Sequence, residues 1–177
     1  MTVPELQTER LILRDYRLED FPAHAAIWSD PRTTRDFGGY VYQEDMCWQR
    51  FLANFGLWRM FGYGLWGIEE KASGHYIGVM GFLQARRAID VPYRDAPEGA
   101  WLIAPDRHRR GLAREGLTAV FAWADVHIAA PETWCMINPA NIASQKVAEQ
   151  FGYRRALDGR FQEKPMQTYL RPRGALA

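Results

Sequence analysis

Between a strand-like run and a helix-like run stands His108-Arg109-Arg110-Gly111-Leu112-Ala113, and no other stretch restricts the fold as much. Upstream, Glu98-Gly-Ala-Trp-Leu-Ile-Ala-Pro105 reads as a strand and its exit. Downstream, Leu112, Leu117, Val120, Phe121, Ala124 and Ile128 recur near helical spacing. A strand that turns through a short basic loop into an amphipathic helix is a unit of an α/β fold. The first N–H groups of a helix lack internal partners, and the helix dipole adds partial positive charge there. Gly111 has no side chain and Ala113 only a methyl, so an anion can approach the backbone closely. Arg107, Arg109 and Arg110 add fixed positive charge. These parts suit a pyrophosphate. They also suit a basic loop ahead of an ordinary amphipathic helix, and the residues alone leave both readings open.

The rest of the chain predicts an alternating order of elements. Leu11–Arg14 reads as the first strand. Glu19-Asp20 precedes a short helix through Trp28, stopped near Asp30-Pro31. Met46–Phe61 reads as a helix with Trp48, Phe51, Leu52, Phe55 and Trp58 on one core face, ended by Gly62 and Gly64. Leu65–Glu69 and Tyr76–Gln84 read as strands joined at Ala72-Ser73-Gly74. Arg86–Pro97 is polar, holds two prolines and reads as a loop. Ala100–Ile103 precedes the basic loop, and Trp134–Ile137 is the next strand. A helix over Ile142–Phe151 and two closing strands, Tyr153–Leu157 and Met166–Leu170, complete a mixed α/β sheet. No repeat or linker interrupts it, so residues 1–177 read as one domain.

Composition narrows the function classes. With 177 residues and 47% hydrophobic content, one real core can form. The 22 basic and 21 acidic residues nearly cancel, which argues against a nucleic-acid partner. Two cysteines, Cys47 and Cys135, make neither a disulfide framework nor a metal-ligand pattern. No metal is expected, and a reducing cytoplasm is the simplest compartment. The first residues lack an apolar signal core, and no apolar run is long enough to cross a bilayer.

The basic loop resembles the coenzyme A loop of the GNAT superfamily of N-acetyltransferases, whose pattern is Gln/Arg-x-x-Gly-x-Gly/Ala. His108 stands where Gln or Arg is usual. Further motifs resemble the branch that acetylates N-termini of ribosomal proteins: Thr8-Glu-Arg-Leu-Ile-Leu-Arg14, Glu19-Asp20, Trp28-Ser-Asp-Pro31, Ile103-Ala104-Pro105, Ala113-Arg114-Glu115, and Asn138-Pro-Ala-Asn141-Ile-Ala-Ser144 ending in Phe151-Gly152-Tyr153. The resemblance runs from about Thr8 to Leu170. It implies a mixed, mostly antiparallel sheet whose two central strands splay apart, with the pantetheine arm of acetyl-CoA in the opening. It implies cofactor contacts from Ile103, Ala104, His108, Arg109, Arg110, Gly111, Leu112, Ala113 and Arg114 on one wall, and from Asn141 and Ser144 on the other.

The reaction so implied is direct attack of a neutral amine on the thioester. The amine must lose its proton, the oxyanion needs a donor, and the thiolate needs a donor or a proton. Glu98, at the acidic position opening the strand before the loop, is the candidate base. The bland account is an exposed strand-edge carboxylate. Many members place a tyrosine acid where this chain has Ala148, so Ser144 is the candidate thiolate partner. Otherwise it is a helix-start residue bonding its own backbone. Asn141 fits pantetheine binding and also a helix cap. His75 suits an exposed turn, His24 and His127 packing or surface roles, and Cys135 a buried apolar site. The acceptor walls implied by the family are Arg35–Tyr42, including Phe37, Tyr40 and Tyr42, together with Glu98–Trp101 and the last turn, Asp158–Pro165. The acceptor is a protein or peptide N-terminus or a small-molecule amine. An acyl-CoA-binding sensor on the same fold is the alternative, and an excess of aromatic surface would favour a homodimer.

Overall fold

A computed structural model describes residues 2–35, 39–89, 91–93 and 95–175. Eight strands form one sheet in the order β1-β2-β3-β4-β5-β6-β8-β7. They are β1 (Leu6–Gln7), β2 (Leu11–Arg14), β3 (Leu65–Glu70), β4 (His75–Leu83), β5 (Glu98–Ile103), β6 (Glu132–Ile137), β7 (Arg154–Phe161) and β8 (Lys164–Pro172). The helices are α1 (Phe21–Ser29), α2 (Pro31–Thr34), α3 (Glu44–Phe61), α4 (Leu112–His127) and α5 (Ile142–Gln150). Every neighbouring pair is antiparallel except β5 and β6.

The alternation of side chains divides the core between the two faces of the sheet. On one face, Leu117, Val120, Phe121 and Ala124 of α4 and Ala148 of α5 pack with Met80, Phe82, Ile103 and Tyr153. The other face carries α1 and α3, with Ile27, Trp28, Cys47 and Phe51 over Tyr76, Val79 and Leu102. Beyond β5 on that face, the loop before β5 lays Ile89, Val91 and Tyr93 over Trp134. Arg171 of β8, almost fully buried, ties its guanidinium to both oxygens of Asp125 in α4 at 2.6 Å.

Three expectations need correction. The buried stripe of α3 is Cys47, Phe51, Asn54 and Trp58; Trp48, Leu52 and Phe55 are exposed. Asn54 earns that place by exchanging two 2.9 Å hydrogen bonds with the backbone of Leu65, so a polar residue outranks three apolar ones. Pro31 does not only stop α1. Its fixed φ begins α2, which Asp30 caps by accepting from Arg32 N–H. The last two strands are longer than predicted and turn at Gln162 and Glu163, both with positive φ, so Asp158–Pro165 is mostly strand.

Candidate active site

The site begins where the sheet fails to close. β5 and β6 meet only at Glu98 and Trp134, where Trp134 N–H donates to Pro97 O at 3.0 Å. Beyond that point the strands part. Ala104 N–H donates to Ile77 O, so by ladder alternation Leu102 and Ala100 turn their backbone groups toward β4. Trp101 and Ile103 therefore present theirs to the opening. Arg173 N–H donates to Pro131 O, and the same alternation turns the backbone groups of Met136 in β6 toward the opening from the other side. The result is a wedge lined on both walls by peptide groups.

At the mouth of the wedge the chain enters α4 through a strained loop. Arg109 has φ 61° and Gly111 φ 77°. A left-handed backbone costs roughly 1–2 kcal/mol for a residue with a Cβ, which makes Arg109 the strained member. Among the described residues, none of the backbone N–H groups from Arg109 through Arg114 has a hydrogen-bond partner. A side chain at Gly111 would meet nothing within 4 Å except Arg10 Nη2 at 3.5 Å. Six free donors, a helix N-terminus and open space together fit a multiply charged anion such as the coenzyme A pyrophosphate. Arg109, Arg110, Gly111 and Arg114 are exposed, Ala113 is partly so, and Leu112 is buried in the core as the anchor.

Sequence reasoning missed what braces this loop. Arg10 Nη1 donates to Arg110 O at 2.9 Å, and Arg10 Nε pairs with Glu115 at 2.6 Å. Thr8 Oγ1 and Arg10 N–H also donate to Glu115. These contacts lower the Glu115 pKa against its own desolvation. The signal lay in the chain, since Thr8-Glu9-Arg10 and Ala113-Arg114-Glu115 were both prominent, but nothing in one dimension pairs them. His108 also has a defined task. Its Nε2 lies 2.8 Å from Ile103 O, an acceptor, so the ring donates there and settles an edge carbonyl of the wedge.

On the far wall, Asn141 Oδ1 accepts from Ser144 N–H at 3.0 Å and caps α5. Its amide nitrogen donates to nothing among the described residues. The Ser144 hydroxyl likewise makes no hydrogen bond there, so it does not bond its own backbone. Ala148 is fully buried.

Glu98 is not an exposed edge carboxylate. It is 5% exposed, and both its oxygens accept from Arg87 Nε at 2.7 and 2.8 Å. Arg87 comes from the loop after β4 and lies 5.1 Å from the centre of the Phe161 ring. That loop read as featureless polar chain, so the partner of Glu98 was not foreseen. Beside Glu98, burial pushes the Cys135 thiol well above its ordinary pKa, and the Glu98 charge adds to the effect. Tyr153 is also buried and pushed up, with its hydroxyl 2.9 Å from Thr133 Oγ1. Neither is set up as a nucleophile. His75 is exposed at the start of β4, and His127 stacks on Trp123 with ring centres 4.6 Å apart. Tyr42 packs edge-on against Trp28; Phe37 lies outside the described residues. Among the described residues, no cluster of His, Cys, Asp and Glu could hold a metal ion, and no helix is long and apolar enough to cross a membrane.

The GNAT acetyltransferase domain model matches residues 10–154. This chain belongs to the GNAT acetyltransferase family. The acetyltransferase is 28% identical over 156 residues to YoaA, an uncharacterized N-acetyltransferase of Bacillus subtilis (strain 168), across 86% of this chain and 84% of YoaA. A GnaT-family acetyltransferase from Bordetella pertussis superposes with TM-score 0.84 at 28% identity, over 96% of this chain and 99% of that one. The RimL ribosomal L7/L12 α-N-protein acetyltransferase, solved with coenzyme A, shares the fold at TM-score 0.75 and 17% identity, over 97% and 99% of the two chains. The acetyltransferase thus keeps the family's sheet and helices, and its His108 bonds the wedge itself.

Proposed function

We propose that this acetyltransferase acts as a single domain over residues 1–177, in the cytoplasm, and moves acetyl from acetyl-CoA to a primary amine by direct attack with both substrates bound. The observation that carries the reading is the run of unpartnered N–H groups from Arg109 to Arg114 at the mouth of the wedge between β5 and β6. Acetyl-CoA supplies the activated thioester. The pyrophosphate takes the free donors of Arg109, Arg110, Gly111, Leu112, Ala113 and Arg114, with His108 holding the adjoining strand end. The pantetheine arm takes the edge peptide groups of Ile103, with Ala104 beside them, and the spare amide of Asn141. Alignment of two bound substrates provides much of the acceleration.

Glu98 receives the amine proton, directly or through water, with Arg87 fixing its orientation. The unbonded Ser144 hydroxyl donates to the departing thiolate, a task that Ala148 has no group to perform. A small amine is an admissible acceptor, and so is a protein or peptide N-terminus, the kind of acceptor for which RimL is named.

The test is thiol release from acetyl-CoA, with and without amines, in wild type and Ser144→Ala. Wild type releases thiol only when an acetylated amine appears, and Ser144→Ala lowers kcat by roughly 10- to 1,000-fold with little change in KM for acetyl-CoA. Coenzyme A binding without amine-dependent release would establish the sensor instead. Full kcat in Ser144→Ala would reduce that residue to a part of α5.

A further inference from the structure

The face of the sheet that holds Glu98 carries a second cation, and its position is unusual. Arg50, in the middle of α3, places its guanidinium carbon 4.1 Å from the centre of the Trp28 ring and 4.9 Å from that of Tyr42. The two rings meet at 81° with centres 5.4 Å apart, so the guanidinium lies in an aromatic corner. Among the described residues, Arg50 has no carboxylate and no hydrogen-bond acceptor, although solvent reaches it. Asp20 and Glu98 are both paired with other cations, Asp20 with Arg14 at 2.8 Å and Glu98 with Arg87 at 2.7 Å. The protein packed around Arg50 lowers its pKa, and the like charge of Arg87 lowers it further. α3 packs on the face of the sheet that holds Leu102, and Glu98, four residues earlier in β5, lies on that same face by strand alternation. The Arg50 charge is also felt at Tyr16, at His24 of α1 and at Cys47 of α3.

Arg50 is exposed, so its guanidinium is open to solvent and to a ligand while its face rests on the two rings. Stacking on Trp28 and Tyr42 fixes the plane of the group. It leaves the N–H fork free. A planar fork is the donor that matches a carboxylate in two parallel hydrogen bonds. One uncompensated positive charge matches one carboxylate, whereas a phosphate dianion asks for more. A polyamine would bring its remaining ammonium groups toward Arg50 and Arg87.

We propose that Arg50 is a specificity determinant: the acceptor is a primary amine that also carries a carboxylate, held by Arg50 while its amine meets Glu98. The inference rests on the acetyl-transfer reading above. It assigns the acceptor site two poles, a cation in the aromatic corner and an anion at the start of β5.

The experiment measures acetyl-CoA turnover by wild type, Arg50→Gln and Arg50→Lys on matched probes. One pair is β-alanine and β-alaninamide. The other is the peptide amide Ala-Glu-Ala and its Ala-Gln-Ala counterpart, with spermidine as a cationic control. In wild type the carboxylate member of at least one pair has the higher kcat/KM, by about 10- to 100-fold. The pair that shows it separates a free amino acid from an acidic peptide. Arg50→Gln loses this preference through a raised KM for the carboxylate member of the pair. Arg50→Lys, which keeps the charge and loses the fork, recovers part of it. Equal kcat/KM within both pairs in wild type overturns the inference even if the variants fail to fold. A preference that survives in Arg50→Gln overturns it as well. Absence of turnover with every amine would instead overturn the acetyl-transfer reading, and this inference with it.

Discussion

His24 shows how a single side chain records the character of its surroundings. It is 2% exposed, with Nδ1 3.0 Å from Tyr76 Oη and, among the described residues, no partner for Nε2. Burial first, and then the charge of Arg50, lower its pKa to about 4. In the unfolded chain it titrates near 6.5. Below that pH the unfolded chain takes up a proton that the folded one refuses. The folded state is therefore at full advantage above about pH 6.5 and loses it as pH falls toward about 4, by about 3 kcal/mol in all. Denaturant unfolding of wild type and His24→Asn across that range checks this. The wild-type stability should fall more steeply, and parallel curves would contradict the burial argument. At this scale the chain was legible where chemistry is local. Gly111, Glu98 and Ser144 stand out from their neighbours in sequence. Arg87, Arg10 and Arg50 do not, because what gives each its meaning lies in another element: Glu98, Glu115, and the corner made by Trp28 and Tyr42.

Elements were easier to foresee than the faces they bury. α4 was legible to within its buried set because its apolar residues are many and regularly spaced. α3 misled, since its aromatic residues outnumber the positions the sheet can cover and Asn54 takes one of those for the backbone of Leu65. The closing hairpin was underread because its turn, Gln162-Glu163, lacks the glycine that announces positive φ. The pairing of β4 with β5 makes its own prediction. Gly78 has φ 152° and sits against the Leu102 carbonyl, and a Cβ there would also come 3.0 Å from Ile103 Cα. Gly78→Ala should cost about 2–5 kcal/mol through strain and overpacking. A fall in Tm on the order of 10 °C is the expected readout. Coenzyme A binding should weaken as well, because the displaced backbone is a wall of the wedge. A variant with the wild-type Tm would mean that β4 and β5 are not so closely held.

At the scale of the whole molecule, a sheet hydrogen-bonded from β1 to β7 opens at one place, and the helix that covers it starts at that opening. The order of elements was legible because hydrophobic periodicity and glycine punctuation reflect local backbone choices. The splay itself was not, since the absence of ladder bonds between two strands leaves no mark on either one. Its presence was known only through family likeness. The cofactor claim joins the splay to the loop at Arg109–Ala113, and calorimetry with coenzyme A tests it directly. Gly111 is exposed with open space around it, and an aspartate tolerates left-handed backbone, so Gly111→Asp should still fold, as an unchanged melting temperature of the free protein would verify. Its carboxylate would stand where the pyrophosphate binds. Arg109→Ala removes only one exposed, screened charge and leaves the N–H groups in place. We predict that Gly111→Asp loses most of its coenzyme A affinity and that Arg109→Ala loses less; a folded Gly111→Asp protein that binds coenzyme A as tightly as wild type would contradict the account.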